Sequence, residues 1–200
     1  MTYDAPPGVA EQRRLLRVLG LPPERAARRL LGQVLVRRWR GRALPVRIVE
    51  TEAYQAADDP AAHAFRGRTP RTEPLWGPPG TLYVYFVYGM HHCLNLSVDR
   101  AGGAGCVLIR AASPLEGSGL APDACRGPGR LCRSLHLDTR DSGRHLFEPG
   151  SRLYLREGPP VRGAGVSPRI GITRAADRPL RFFDPASPAV SGAPLRSGRR

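Results

Sequence analysis

The chain has no lysine: all 31 basic residues among its 200 are arginine. Covalent catalysis through an amine usually employs lysine, so this chain offers only its α-amino group, on a stretch that reads as a loose tail. No run approaches the roughly eighteen apolar residues of a membrane span, which excludes a helical anchor. The opening MTYDAPPGVAEQRR lacks the basic-then-apolar order of a secretion signal, and an intracellular, cytoplasmic address is expected. The four cysteines, Cys93, Cys106, Cys125 and Cys132, form no CxxC pair, and no histidine stands at zinc-finger spacing. They read as reduced packing residues rather than ligands. The five histidines, His63, His91, His92, His136 and His145, contain neither HxxxH nor HExxH, so no metal site is expected. No GxGxxG follows a strand and no P-loop is present, so no nucleotide cofactor is expected.

What the chain has in excess is positive charge, +14 at neutral pH. Arginine keeps its charge and forks onto phosphate oxygens, which makes nucleic acid the first partner implied. A GC-rich coding bias explains arginine in place of lysine, together with 23 glycines and 21 prolines, but not the excess over 17 acidic residues. The hydrophobic share of 41% and the charged share of 24% are those of a globular protein, and this length buries a core in one domain.

Residues 1–11 and 185–200 are rich in Pro, Ala, Gly and Ser and read as flexible tails around a folded domain of residues 12–184. Residues 23–32 predict a short helix, with Pro and Glu in the first turn and Gly32 as the stop. Residues 33–38 and 45–54 predict strands joined by a basic turn around Gly41, and residues 81–88 and 90–98 a second hairpin turning at Tyr88-Gly89. Further strands are predicted at 105–111 and 151–156, a short helix at 129–137, and two closing strands within 170–183 around Asp177-Arg178-Pro179. Many short strands joined by hairpins, with few helices, predict an α+β single domain: a curved antiparallel sheet, partly open and barrel-like, with packed helices.

Three stretches carry unusual chemistry. In Ile48-Val49-Glu50-Thr51-Glu52-Ala53-Tyr54, alternation places Glu50, Glu52 and Tyr54 on one side, and Val49 and Ala53 on the other. Two carboxylates in such a run are costly if buried without partners; either alone reads as a solvated edge, but with Tyr54 and His63 they imply a polar cleft. In the run from Thr81 to Met90, three tyrosines alternate with apolar residues. Tyr83 reads as core, whereas Tyr88 beside a turn glycine reads as a wedge for a basic protein to press between base pairs. Arg110 ends an apolar strand and needs a carboxylate or phosphate; Asn95, within Cys93-Leu94-Asn95-Leu96, must find hydrogen bonds.

The stretches RIVETEAY, AAHAFRGRTPR, GTLYVYFVYGMHHCLN, CVLIRAASPLEG, GPGRLC and RIGITRAADRPLRFF resemble, in order, the alkyladenine (3-methyladenine) DNA glycosylase family of the mammalian type. They span roughly Leu30 to Phe183. The resemblance implies a mixed fold with a curved antiparallel sheet and an enzyme that flips a damaged purine out of double-stranded DNA and hydrolyses its bond to the sugar. It implies that Glu52 is the general base that activates water and that Arg110 stands beside that water and the target sugar. Tyr54, His63 and Tyr85 fall on the pocket that stacks and hydrogen-bonds the flipped base, Asn95 on an amide that selects against some normal purines, and Tyr88 on the tyrosine that intercalates. Three positions depart from the family pattern: Thr72 where asparagine is usual, Leu75-Trp76 for a Met/Phe-type pair, and His92 where an aromatic is common.

With no lysine, water is the expected nucleophile and strand nicking is not expected. A monomer acting on DNA is the reading. Two other classes fit parts of the pattern: a catalytically silent damaged-DNA-binding protein, against which the intact Glu52, Arg110 and Tyr54 weigh, and a sugar hydrolase, which would use Glu50 and Glu52 as its carboxylate pair.

Overall fold

The computed structural model describes residues 3–56 and 58–192. Among these are three α-helices and eight strands. Helix α1 (Val9–Leu19) starts behind Gly8, carries Glu11 in its first turn, ends at Gly20 and buries Leu15 and Leu19, one turn apart. Helix α2 (Pro23–Leu30) follows, with proline and Glu24 at its start. Strands β1 (Val34–Trp39), β2 (Arg42–Tyr54), β3 (Leu82–Val87), β4 (His91–Val98) and β5 (Gly105–Pro114) precede α3 (Pro128–Ser134); β6 (Leu153–Arg156), β7 (Gly165–Ser167) and β8 (Arg181–Phe183) follow it. The antiparallel sheet runs β3-β4-β5-β2-β1-β6, and β8 pairs with both β2 and β7. The main core lies between this curled sheet and the helices, from Leu15 and Leu30 through Ile48, Leu96 and Ile109 to Leu131 and Phe182.

Three local expectations differ from the structure. The N-terminal tail was expected to reach Glu11, but α1 begins at Val9 because Leu15 and Leu19 have a core to enter, and the Glu11 carboxylate accepts from Arg156 Nε at 2.9 Å. The C-terminal tail was expected from Pro185, but Ala189 joins Val49 and Ala111 in a small cluster and Ser191 is buried. The rest of both expected tails, residues 1–2 and 193–200, lies outside the described residues. Two strands were expected within 170–183; only β8 lies there, and its partner β7 comes earlier, at Gly165–Ser167. The segment between them donates to buried acids instead of forming a ladder: Arg169 to Asp59 in the loop after β2, and the Ile170 amide to Glu52 on β2.

Strand β2 departs from simple alternation at the place that matters. Its register against β5 shifts twice, so that Val49 on β2 and Arg110 on β5 have no cross-strand partner. Bulges of this kind re-aim side chains. Val49 therefore packs against Ala111 and Ala189, whereas Ala53, expected on the same side as Val49, enters the main core with Ile48 and Ile109.

Both sharp hairpins have positive φ at their two central residues: Arg40 (48°) and Gly41 (78°) between β1 and β2, Tyr88 (53°) and Gly89 (67°) between β3 and β4. That pattern matches the right-handed strand twist and favours Asn or Gly. A bulky side chain in this region is strained by about 1–2 kcal/mol, and Tyr88, 78% exposed, recovers nothing by packing. Tyr88→Asn should therefore stabilise the fold by about 0.5–1 kcal/mol, read as a higher denaturant midpoint at unchanged m-value. A lower midpoint would mean that Tyr88 packs in the free protein.

Candidate active site

The acids of β2 are both buried, contrary to the solvated edge that suits either alone: Glu50 and Glu52 have no exposed surface. Burial on this scale requires neutralisation, and it comes from two strands. Arg110, re-aimed by its bulge on β5, donates from Nε to Glu50 Oε1 at 3.1 Å and places Nη1 3.2 Å from Glu52 Oε1. Arg181 on β8 donates from Nε to Glu50 Oε1 at 2.6 Å. Two carboxylates and two guanidiniums close into a cluster without net charge.

Glu52 has two further donors. The Ile170 amide reaches Oε1 at 2.8 Å and the Tyr54 hydroxyl reaches Oε2 at 2.8 Å. A carboxylate offers about four acceptor positions. Ile170 donates to Oε1, beside the ion-pair contact of Arg110, and Tyr54 takes one position on Oε2, so one position on Oε2 is left for an incoming hydroxyl or water. Burial raises the Glu52 pKa above its ordinary value and Glu50 adds to the rise, against the opposing pull of Arg110, the Ile170 amide and Tyr54.

A second buried ion pair fixes the loop that carries Ile170. Arg169 and Asp59 pair with no side-chain exposure, Nη2 reaching Oδ1 at 2.8 Å. The Asp59 carboxylate also accepts from the amides of Gln55 and Ala61, and Arg169 donates to the Ala53 carbonyl. These donors, Arg169 foremost, hold Asp59 below the usual carboxylate range despite its burial. The Arg169 guanidinium stands 4.5 Å from the Tyr54 ring centre, a favourable cation–π placement.

In front of this cluster lies a cavity of about 190 Å³, walled by Tyr54, His63, Tyr83, Tyr85, Asn95 and Tyr88 among others. The alternation of β3 puts Tyr83 and Tyr85 on one side, ring centres 5.4 Å apart, and the His63 ring stands edge-on 4.5 Å from Tyr85. His63, on a one-turn 3-10 helix (His63–Arg66), shares a hydrogen bond of 2.8 Å with the Tyr83 hydroxyl. Burial and the charge of Arg71 lower the His63 pKa, which keeps the ring neutral near pH 7. Asn95 Nδ2 donates to the Tyr83 carbonyl at 3.3 Å, and Oδ1 accepts from Cys106 Sγ. A cavity this small suits one planar ring system. It opens into a groove of about 670 Å³, with His63, Arg71, Tyr88 and Gly171 in both walls and Arg66 and Arg174 beyond.

The seven residues singled out in the sequence thus occupy one neighbourhood. Tyr54, His63, Tyr85, Asn95 and Tyr88 line the cavity; Glu52 and Arg110 pair behind it, linked to its wall through Tyr54 and through Ile170, whose neighbour Gly171 is in the lining. Tyr83, read as core, is 1% exposed yet lends its hydroxyl to the site. The departures from the family pattern have local explanations. Thr72 Oγ1 accepts from the Thr69 amide at 3.0 Å and so braces its loop, Trp76 packs beside Leu75 against Tyr83, and the His92 ring lies 4.9 Å from that of Phe86. Asp59, Arg169, Ile170, Arg181 and Ser191 were not singled out. The signal available for two of them was an arginine within the apolar runs of RIGI and LRFF.

All four cysteines are buried free thiols. Among the described residues no group of three or more His, Cys, Asp or Glu could hold a metal ion, and no helix is long and apolar enough to cross a membrane.

The chain is similar to known proteins over most of its length. The profile of the family described as methylpurine-DNA glycosylase (MPG) matches residues 18–188. Three relatives share the name "Putative 3-methyladenine DNA glycosylase". The Methanocella arvoryzae protein is 42% identical over 183 residues, 85% of this chain and 91% of its own length. The Koribacter versatilis protein is 46% identical over 184 residues, 85% and 88% of the two chains. The Myxococcus xanthus protein is 46% identical over 181 residues, 87% and 90% of the two chains.

The causes acting on Glu52 have opposite signs and can be separated by substitution. Tyr54→Phe removes a hydroxyl that stabilises the ionised form, so the Glu52 midpoint should rise. Glu50→Gln removes a like charge and should lower it. The carboxyl carbon resonance of Glu52, followed by NMR through a pH titration, reads both; shifts of the same sign would contradict this account of the cluster.

Proposed function

The chain belongs to the methylpurine-DNA glycosylase family, and from that premise we propose that it is a monofunctional DNA glycosylase, acting as a monomer inside the cell. It flips an alkylated or deaminated purine out of double-stranded DNA and hydrolyses the N-glycosidic bond, which initiates base excision repair. The observation that carries this reading is Glu52: a buried carboxylate with one acceptor position left, coupled through the Tyr54 hydroxyl to an aromatic cavity for one ring system.

A base inside a duplex hides its glycosidic bond, and extruding the nucleotide requires about a few kcal/mol. Tyr88, exposed at the hairpin tip, fills the vacated space, and Arg66, Arg71 and Arg174 of the groove hold phosphates. Stacking on Tyr54, Tyr85 and His63 returns part of the cost, at about 1–3 kcal/mol per base. Asn95 has one Nδ2 hydrogen engaged by the Tyr83 carbonyl and offers the other to a base acceptor.

Cleavage builds positive charge on the sugar, as in glycoside hydrolysis generally. Glu52 stabilises that charge and accepts a proton from the attacking water through its remaining Oε2 position, while Arg110 fixes the carboxylate plane. The oxygen of water bonds to the anomeric carbon as the base departs with the bonding electron pair. Lysine is absent from the chain, so water takes the place of an amine nucleophile. Glu50 cannot act as a second acid, because Arg110, Arg181 and the Ser191 amide all donate to it.

Glu52→Gln should lower single-turnover release of 7-methylguanine by at least about 10²-fold at nearly unchanged DNA affinity. Wild-type product strands should break only in hot alkali and give no borohydride-trapped adduct. Release by the variant within a few-fold of wild type would leave a damaged-DNA binder or another base as the better reading.

The leaving group sets the pH profile. Glu52 must be ionised, so all substrates should lose rate as pH falls through its raised pKa, at a midpoint above the ordinary value of about 4.3. A cationic base such as 7-methylguanine should then reach a plateau. Hypoxanthine, neutral and in need of a proton, should also lose rate at high pH and give a bell. Matching bells in one duplex context would place the acid on the enzyme.

A further inference from the structure

The segment after β8 does more than end the fold. Ser191 stands three residues past the last position matched by the family profile, yet it touches three of the four charges in the buried cluster. Its amide donates to Glu50 Oε2 at 2.6 Å, its carbonyl accepts from Arg181 Nη2 at 3.0 Å, and its hydroxyl oxygen accepts from both Nε and Nη2 of Arg110 at 3.3 Å. Among the described residues, Ser191 Oγ is the one acceptor found for Arg110 Nη2.

The segment is anchored at both ends. Asp184 takes the first anchor: its amide donates to the Val49 carbonyl at 2.9 Å and its carboxylate pairs with Arg47 at 3.0 Å. Midway, Ser187 and Ser113 share a hydroxyl hydrogen bond, and Ala189 is buried against the bulged Val49. Near its end, Arg126 holds the Val190 carbonyl. Ser191 is thereby delivered to the cluster beside Val49, the bulged residue of β2, where the neighbouring register break on β5 re-aims Arg110.

Resting on the proposed glycosylase reading, we propose that Ser191 is a positioning residue for catalysis, its hydroxyl fixing the Arg110 guanidinium so that Nη1 stays on Glu52. Nη1 has only a long contact of 3.4 Å to the Ile170 carbonyl besides its 3.2 Å approach to Glu52. The two nitrogens held by Ser191 therefore set the angle of the planar group. A guanidinium free to tilt spends less time on Glu52 Oε1, which leaves the carboxylate less well oriented and less stabilised as an anion. The other charged or titratable groups around Glu52 are Glu50 and Tyr54 on β2, Arg181 opposite it on β8, Cys93 on β4 and Arg169 in the preceding loop. None of them changes when the serine hydroxyl is removed.

The test uses the full chain and single-turnover release of 7-methylguanine from duplex DNA across pH. Ser191→Ala should lower the plateau rate about five- to tenfold and move the acid limb to higher pH, with DNA affinity close to wild type and a lower thermal midpoint, since Arg110 Nη2 loses its acceptor. Ser191→Thr, which keeps the hydroxyl, should restore both rate and limb, and Ser191→Cys, a weaker acceptor, should fall between. A packing role would give equal losses in the Ala and Thr variants and an unmoved acid limb, and that outcome overturns the proposal. So does an Ala variant indistinguishable from wild type. Failure of the wild-type chain itself to release the base would overturn the glycosylase reading, whereas these outcomes compare variants of a chain that does.

Discussion

Two carboxylates two residues apart on β2 have no exposed surface, and the elements around them are arranged to make that burial tolerable. An unpaired buried carboxylate would cost several kcal/mol. Neutralising Glu50 and Glu52 requires arginines from both flanking strands, β5 and β8. Bringing Arg110 inward requires the break in register between β2 and β5. The remaining lone pairs require amides, which come from Ile170 in the loop before β8 and Ser191 in the segment after it. The short closing strands and the placement of Ser191 follow from one electrostatic demand.

The same demand explains a division of labour between two acids of the same type. Glu50 accepts from three donors on three parts of the chain and serves as a structural counter-charge. Glu52 keeps an unfilled position and has its pKa raised by burial, which suits the proposed general base. The Asp59–Arg169 pair supports the second role indirectly, by fixing the Tyr54 ring and the backbone that presents Ile170. The site is rigid behind the cavity and strained in front of it, where Tyr88 sits in a left-handed conformation at a hairpin tip. Strain of this kind at an exposed tyrosine is in keeping with the wedge role proposed for Tyr88.

Sequence alone determined the elements whose signals are local. The turns at Arg40-Gly41 and Tyr88-Gly89, proline and glycine at the bounds of α2, and the alternation of tyrosines on β3 all follow from near-neighbour sterics, and they place Tyr54, Tyr83 and Tyr85 on consistent faces. The exposure of Tyr88 at a hairpin tip and the need of Arg110 for a carboxylate were also legible, because a charge in an apolar strand and an aromatic in a turn each violate a local rule. Tertiary structure decided what depends on long-range partners. Helix α1 begins inside the expected tail because Leu15 and Leu19 meet a core made elsewhere. Val49 leaves the alternation because a bulge forms only against β5. Glu50 is buried because Arg181 and Ser191, more than 130 residues away, complete its partners. No periodicity records such pairings, since the free energy of burying a charge is set by the groups that surround it in space.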